Sequence, residues 1–124
     1  MSQVLKTASK QVTFDTIMKY ADVTNDYNPI HVDKDFAAKS PMKGIIAHGT
    51  MSVALIWQAL GATLGPDVLN RTTLDIRFVK PVRIDDVVTG GGVLKDASND
   101  VYDVWVKNQS GEINITGIAT IRRR

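Results

Sequence analysis

Phe14, Ile17, Met18 and Ala21 recur at the spacing of one helix face, which predicts an amphipathic helix over residues 14–24. Thr13 is its predicted N-cap. Asn25 to Pro29 interrupts the pattern with loop-forming residues. Asp33 is placed to cap a short helix through Ala38, which Ser40-Pro41 and Gly44 end. Residues 50–64 differ: Met51, Val53, Ala54, Leu55, Ile56, Trp57, Leu60 and Leu64 leave almost no polar face, the mark of a buried helix. Gly65-Pro66 stops it.

Beyond that point the period changes to two. Leu74, Ile76 and Phe78 alternate with Thr73, Asp75 and Arg77, which predicts a strand with one wet face. Val87–Leu94, Val101–Lys107 and Ile113–Ile121 read as three more strands, and residues 3–12 as a fifth. Asn99-Asp100 and Gln109-Ser110-Gly111 read as hairpin turns. Helical elements followed by a four-stranded antiparallel meander give an α+β layout, a sheet packed on one buried helix. One sheet can curl round helix 50–64 but does not easily cover it, so a homodimer is expected.

Composition sharpens this picture. The chain has 124 residues, 44% of them hydrophobic, and residues 1–124 read as one globular domain. The net charge is +2, and three of the positive charges are Arg122, Arg123 and Arg124. A short basic run at a terminus is usually solvated, and no basic stripe appears elsewhere, so no nucleic-acid partner is expected. The chain has no cysteine, which excludes disulfides, thiolate metal sites and cysteine nucleophiles. Met1 to Lys10 lacks the apolar core of a signal peptide, and Met51 to Leu60 is too short to span a bilayer. A soluble cytoplasmic protein without membrane attachment is expected.

The candidate chemistry sits at the two histidines. The first ends the run Thr24-Asn25-Asp26-Tyr27-Asn28-Pro29-Ile30-His31. Pro29 pushes Asn28 toward extended backbone, so Asp26 and His31 are expected on a rigid, non-helical turn. A carboxylate and an imidazole facing one pocket can hold a water and pass protons both ways, as general acid–base catalysis requires. The same residues also suit a plain capped loop with His31 packed inside. The second histidine lies in Gly44-Ile45-Ile46-Ala47-His48-Gly49-Thr50, directly before the buried helix. Helix-start N–H groups have no internal partners and favour negative charge. Gly49 would let a substrate oxygen come close to its N–H, the need of an oxyanion hole, or would merely allow a tight turn into the helix. Asp26, His31 and His48 match no standard zinc spacing, so no metal is expected. Ser40 and Ser52 lack the surroundings of a nucleophile elbow.

Asn25-Asp26-Tyr27-Asn28-Pro29-Ile30-His31, followed by Val32-Asp33 and by Ala37, resembles the signature of the MaoC-like (R)-specific enoyl-CoA hydratases. Gly44-Ile45-Ile46-Ala47-His48-Gly49-Thr50-Met51 resembles the second block of that family. Arg77-Phe78-Val79-Lys80-Pro81-Val82 and Asp85-Asp86-Val87-Val88 look like its entrance to the sheet. The resemblance covers about residues 11–121. It implies a hot-dog fold, with an antiparallel sheet wrapped around a long central helix and a hydratase-type helical insertion near the N-terminus.

The resemblance further implies a dimer or dimer of dimers and an acyl-CoA or acyl-carrier-protein thioester as substrate, without a cofactor. Asp26 and His31 would be the catalytic pair, the Gly49 N–H would bind the thioester carbonyl, and Asn28 would orient the turn. Asn28, Ile45, His48 and Trp57 are the residues expected at the substrate. The implied reaction is reversible syn addition of water to a trans-2-enoyl thioester, giving the (R)-3-hydroxyacyl thioester. Two departures stand out: Trp57 occupies a position where some of these hydratases carry serine, and Asn25 one that is often glycine. A hot-dog thioesterase is a second reading, weakened because residues 50–64 contain no Asp or Glu. A non-catalytic acyl-binding subunit is a third, and retention of both Asp26 and His31 argues against it.

Overall fold

In the computed structural model, which describes residues 3–123, four helices and five strands follow in the order β1 (Ala8–Gln11), α1 (Phe14–Thr24), α2 (Pro29–Val32), α3 (Lys34–Lys39), α4 (Gly49–Leu64), β2 (Thr72–Phe78), β3 (Val87–Asp96), β4 (Val101–Lys107) and β5 (Ile113–Ile121). Met1, Ser2 and Arg124 lie outside the described residues, so the expected basic tail is seen only in part. Its Arg123 donates to Asp100 at 2.6 Å.

Local chemistry sets the helix ends. The Thr13 hydroxyl accepts from the Thr16 N–H at 3.1 Å while the Thr16 hydroxyl accepts from the Thr13 N–H at 3.0 Å, a reciprocal capping pair. Asn25 closes α1 in the left-handed region, with φ at 55°. Asp33 caps α3 through the Phe36 N–H at 3.1 Å. One element departs from expectation: Pro29–Val32 is a single helical turn, not a non-helical one. Asn28 caps it, Pro29 supplies the pre-set φ of a first helical position, and His31 rides on it. A 3₁₀ turn over Pro66–Arg71, also unexpected, leads from α4 into β2.

The sheet is antiparallel with strand order β1-β3-β4-β5-β2. The expected four-strand meander is therefore corrected to three. β2 crosses over to pair with β5, Thr72 opposite Ile121, and leaves its other edge free. Helix α4 packs against β3, with β1 and β4 on either side of that strand. Leu55, Ile56, Ala59 and Leu60 of α4 are buried against Val88, Val104, Val106 and Ala119. Each large aliphatic side chain so buried contributes about 1.5–3 kcal/mol. Gly90 sets the spacing: a Cβ there would lie 2.8 Å from the Leu55 backbone, so only glycine lets the helix lie this close to β3. The opposite face of α4 is not covered, since Thr50, Ala54 and Gln58 are exposed and Val53 and Trp57 half-buried. Among the described residues no helix is long and apolar enough to cross a membrane.

Candidate active site

The segment from Asn25 to Val32 lies against the start of α4, and the two share the wall of a cavity of about 520 Å³. Asp26, His31, His48, Gly49 and Ser52 line one side; Phe78, Val79, Lys80, Val82 and Ile115 line the other. Buried Val82, Ile115, His48 and Ser52 form its inner wall, and exposed Phe78, Val79 and Met42 its rim.

Asp26 follows directly on the left-handed Asn25, and its N–H donates to the Ala21 carbonyl at 3.1 Å. Its Oδ1 accepts from the Asn28 N–H at 3.2 Å. Asn28 in turn accepts from the Ile30 N–H at 3.1 Å, so this side chain holds the turn and is not on the cavity wall. The His31 Nδ1 lies 2.7 Å from the Ile46 carbonyl oxygen. A carbonyl can only accept, so Nδ1 carries a proton and Nε2 is the ring nitrogen not engaged by the backbone. Ile46 also donates its N–H to the Ile30 carbonyl at 3.2 Å, closing a two-way clamp.

His48 is 3% exposed and stacks on His31, ring centroids 4.0 Å apart. Tyr20 meets its other side edge-on at 5.0 Å. One nitrogen atom of each ring and a carboxylate oxygen of Asp26 fall within 4.8 Å of one another. Of the four ring nitrogens, His31 Nδ1 and His48 Nε2 are engaged by carbonyls, and His48 Nδ1 is buried without a hydrogen-bond partner. That leaves the carboxylate and His31 Nε2 open to the cavity, fewer donors than the three or four protein ligands of a typical zinc site. The arrangement instead presents a carboxylate and an imidazole nitrogen close together on one wall, suited to holding a water.

Gly49 is the first residue of α4, and no side chain caps that helix. Its glycine identity has a packing cause: a Cβ would meet the Phe78 ring at 2.6 Å. Ile45 and Trp57, both expected at the substrate, are not on the cavity wall. Ile45 lies in an extended segment in which neighbouring side chains point to opposite sides; it enters the core at 5% exposure and Ile46 lines the cavity instead. Trp57 lies five residues beyond Ser52, about 140° further round the helix, and packs half-buried against the core.

Ser52, one turn into α4, was not expected to line the cavity, and its buried hydroxyl has no hydrogen-bond partner. It contacts neither histidine by hydrogen bond, so a serine nucleophile is not assembled. Ser40 donates to the Ala37 carbonyl at 2.6 Å and is spent on the end of α3. Phe78, Lys80 and Ile115 were legible only as strand and loop residues, because their place on the wall depends on β2 crossing to β5.

Comparison with known proteins places the chain in a family. The MaoC like domain family matches residues 1–114. A 3-hydroxybutyryl-CoA dehydratase from Methylorubrum extorquens is 36% identical over 89 residues, covering 71% of this chain and 54% of that protein. An (R)-specific enoyl-CoA hydratase from Rhodospirillum rubrum is 37% identical over 82 residues, covering 65% of this chain and 56% of that one. The chain thus spans little more than half the length of these curated relatives. The unliganded R-hydratase PhaJ1 from Pseudomonas aeruginosa superimposes with a TM-score of 0.77 at 29% identity, over 98% of this chain and 79% of that structure. With the helix-wrapping sheet of this hydratase and a family match over most of its length, the chain belongs to the MaoC-like domain family and has the hot-dog fold.

Proposed function

We propose that this chain catalyses the reversible hydration of trans-2-enoyl thioesters to (R)-3-hydroxyacyl thioesters. The observation that carries the reading is the convergence of the Asp26 carboxylate with the histidines on one cavity wall, His31 Nε2 being the ring nitrogen left open. A water held between Asp26 and His31 Nε2 loses a proton to the pair as its oxygen bonds to C3. The pair returns a proton to C2 on the same face, so one water is added and nothing else is consumed. The reverse sequence eliminates water. The Gly49 N–H, at the uncapped start of α4, would hold the thioester oxygen as negative charge develops there. The names of the hydratase and dehydratase relatives support the same reaction.

The substrate is an acyl thioester of CoA or of a carrier protein, its acyl chain against the inner wall and its carrier leaving past the Phe78–Val79 rim. The acting form is a homodimer or a dimer of dimers. Supporting this, β2 is an edge strand. The reading takes the protein to be cytoplasmic and to need no cofactor or metal. Helix α4 carries no acidic residue, which gives no support to a thioesterase.

The test is loss of the ultraviolet absorbance of crotonyl-CoA on adding the protein, with chiral analysis of the product. Formation of (R)-3-hydroxybutyryl-CoA is expected. Release of free thiol without hydration, or the (S) product, would overturn the reading.

A further inference from the structure

We infer that His48 is a positioning residue whose Nε2–H, bonded to the Asp26 carbonyl, fixes the spacing of the Asp26–His31 pair; this rests on the hydratase reading above. His48 occupies the N-cap position of α4 but makes no capping bond. Its Nε2 lies 3.0 Å from the Asp26 carbonyl oxygen, 22 residues away in sequence. Since that oxygen only accepts, Nε2 carries a proton. Its Nδ1 is buried with no partner. The hydrogen bond therefore places a ring proton on Nε2.

The titratable groups that face it are His31 across the stack, Tyr20 on its edge and Asp26 at its tip. One ring thus touches both members of the pair, His31 by its face and Asp26 through the backbone. It needs no contact with substrate to set their separation. Tyr20 is itself pinned, its hydroxyl 2.6 Å from that of Thr50. The unit Tyr20–His48–His31 braces the loop carrying Asp26 against the start of α4. Misplacing one reacting group by about 1 Å can cost on the order of 10²-fold in rate.

Two variants separate the bond from the stack. His48→Gln keeps an N–H donor at a similar reach; His48→Phe keeps a stacked ring without the donor. Both are compared with the wild type on crotonyl-CoA, alongside ¹⁵N spectra of the imidazole nitrogens. H48F is expected to lose about 10- to 100-fold in kcat with KM within about threefold, and H48Q to stay within about threefold of the wild type in kcat. The wild-type spectra should show a proton on Nε2 of His48. Full kcat in H48F, or equal losses in H48F and H48Q, would overturn the proposal. An inactive wild type would sink the hydratase reading, and the spectra would then decide: an unprotonated Nε2 on His48 would overturn the bond as well.

Discussion

The Nδ1–H of His31 donates to the carbonyl oxygen of Ile46 at 2.7 Å, tying the single turn α2 to the extended segment before α4. Ile46 is itself bridged to Arg83, so the acceptor stands on backbone that is held in place. A hydrogen bond at one ring nitrogen decides the state of the other. Here it leaves Nε2 as the ring nitrogen not engaged by the backbone, beside a carboxylate.

Gly49 and Phe78 should behave as a coupled pair. An alanine Cβ at position 49 would meet the Phe78 ring at 2.6 Å, and because that exposed ring can swing aside, Gly49→Ala is expected to cost no more than about 1 kcal/mol. The ring is 60% exposed, and Phe78→Ala alone should change stability little. The double variant should be no less stable than Phe78→Ala alone, a non-additive result that thermal unfolding of all four proteins would show. Additive losses would contradict the coupling of Gly49 to the Phe78 ring.

Chain-length preference should follow Ile115 and not Trp57. Ile115 is 2% exposed and lies on the inner cavity wall, whereas Trp57 is not on the wall. Ile115→Val removes one methylene at a cost of about 0.5–1.5 kcal/mol and should shift kcat/KM toward longer enoyl chains. Trp57→Ala should leave the ranking of chain lengths as in the wild type. Reversal of the two results, in rates measured on a series of enoyl-CoA substrates, would place Trp57 at the acyl chain.

Much of this arrangement was legible in the sequence. Helix 14–24 was readable because Thr13 caps it and its apolar face repeats at helical spacing. Strand 101–107 has the expected bounds because alternation marks a half-buried strand directly. Pairing is another matter. Alternation in Leu74, Ile76 and Phe78 fixes a face but not a neighbour, so nothing local revealed that β2 joins β5. The turn Pro29–Val32 is too short to show a period, although Asn28 and Pro29 carried its start signal. The motif placed Asp26 and His31 near each other, but the clamp to Ile46 and the stack on His48 arise only when α2 packs on the start of α4.

An acid-sensitive link is expected at the cavity rim. Lys80 donates to Glu112, and Asn108 to the same carboxylate at 3.2 Å, holding the Glu112 carboxyl below the usual carboxylate range, chiefly through Lys80. A carboxyl that titrates lower when folded stabilises fully above its unfolded range, and that contribution disappears as pH falls through the folded value. Glu112→Gln should therefore lower Tm by at most a few degrees near neutral pH and leave it unchanged in strong acid. A difference that grows as pH falls would contradict the direction.

The measurement that bears most directly on the acid–base pair is a double-mutant cycle in kcat/KM on crotonyl-CoA, using Asp26→Asn, His31→Ala and the double variant. Two residues acting on one water predict losses of at least about 10²-fold in each single variant and little further loss in the double. Wild-type rates in both single variants, or losses that multiply in the double, would contradict a shared role for Asp26 and His31.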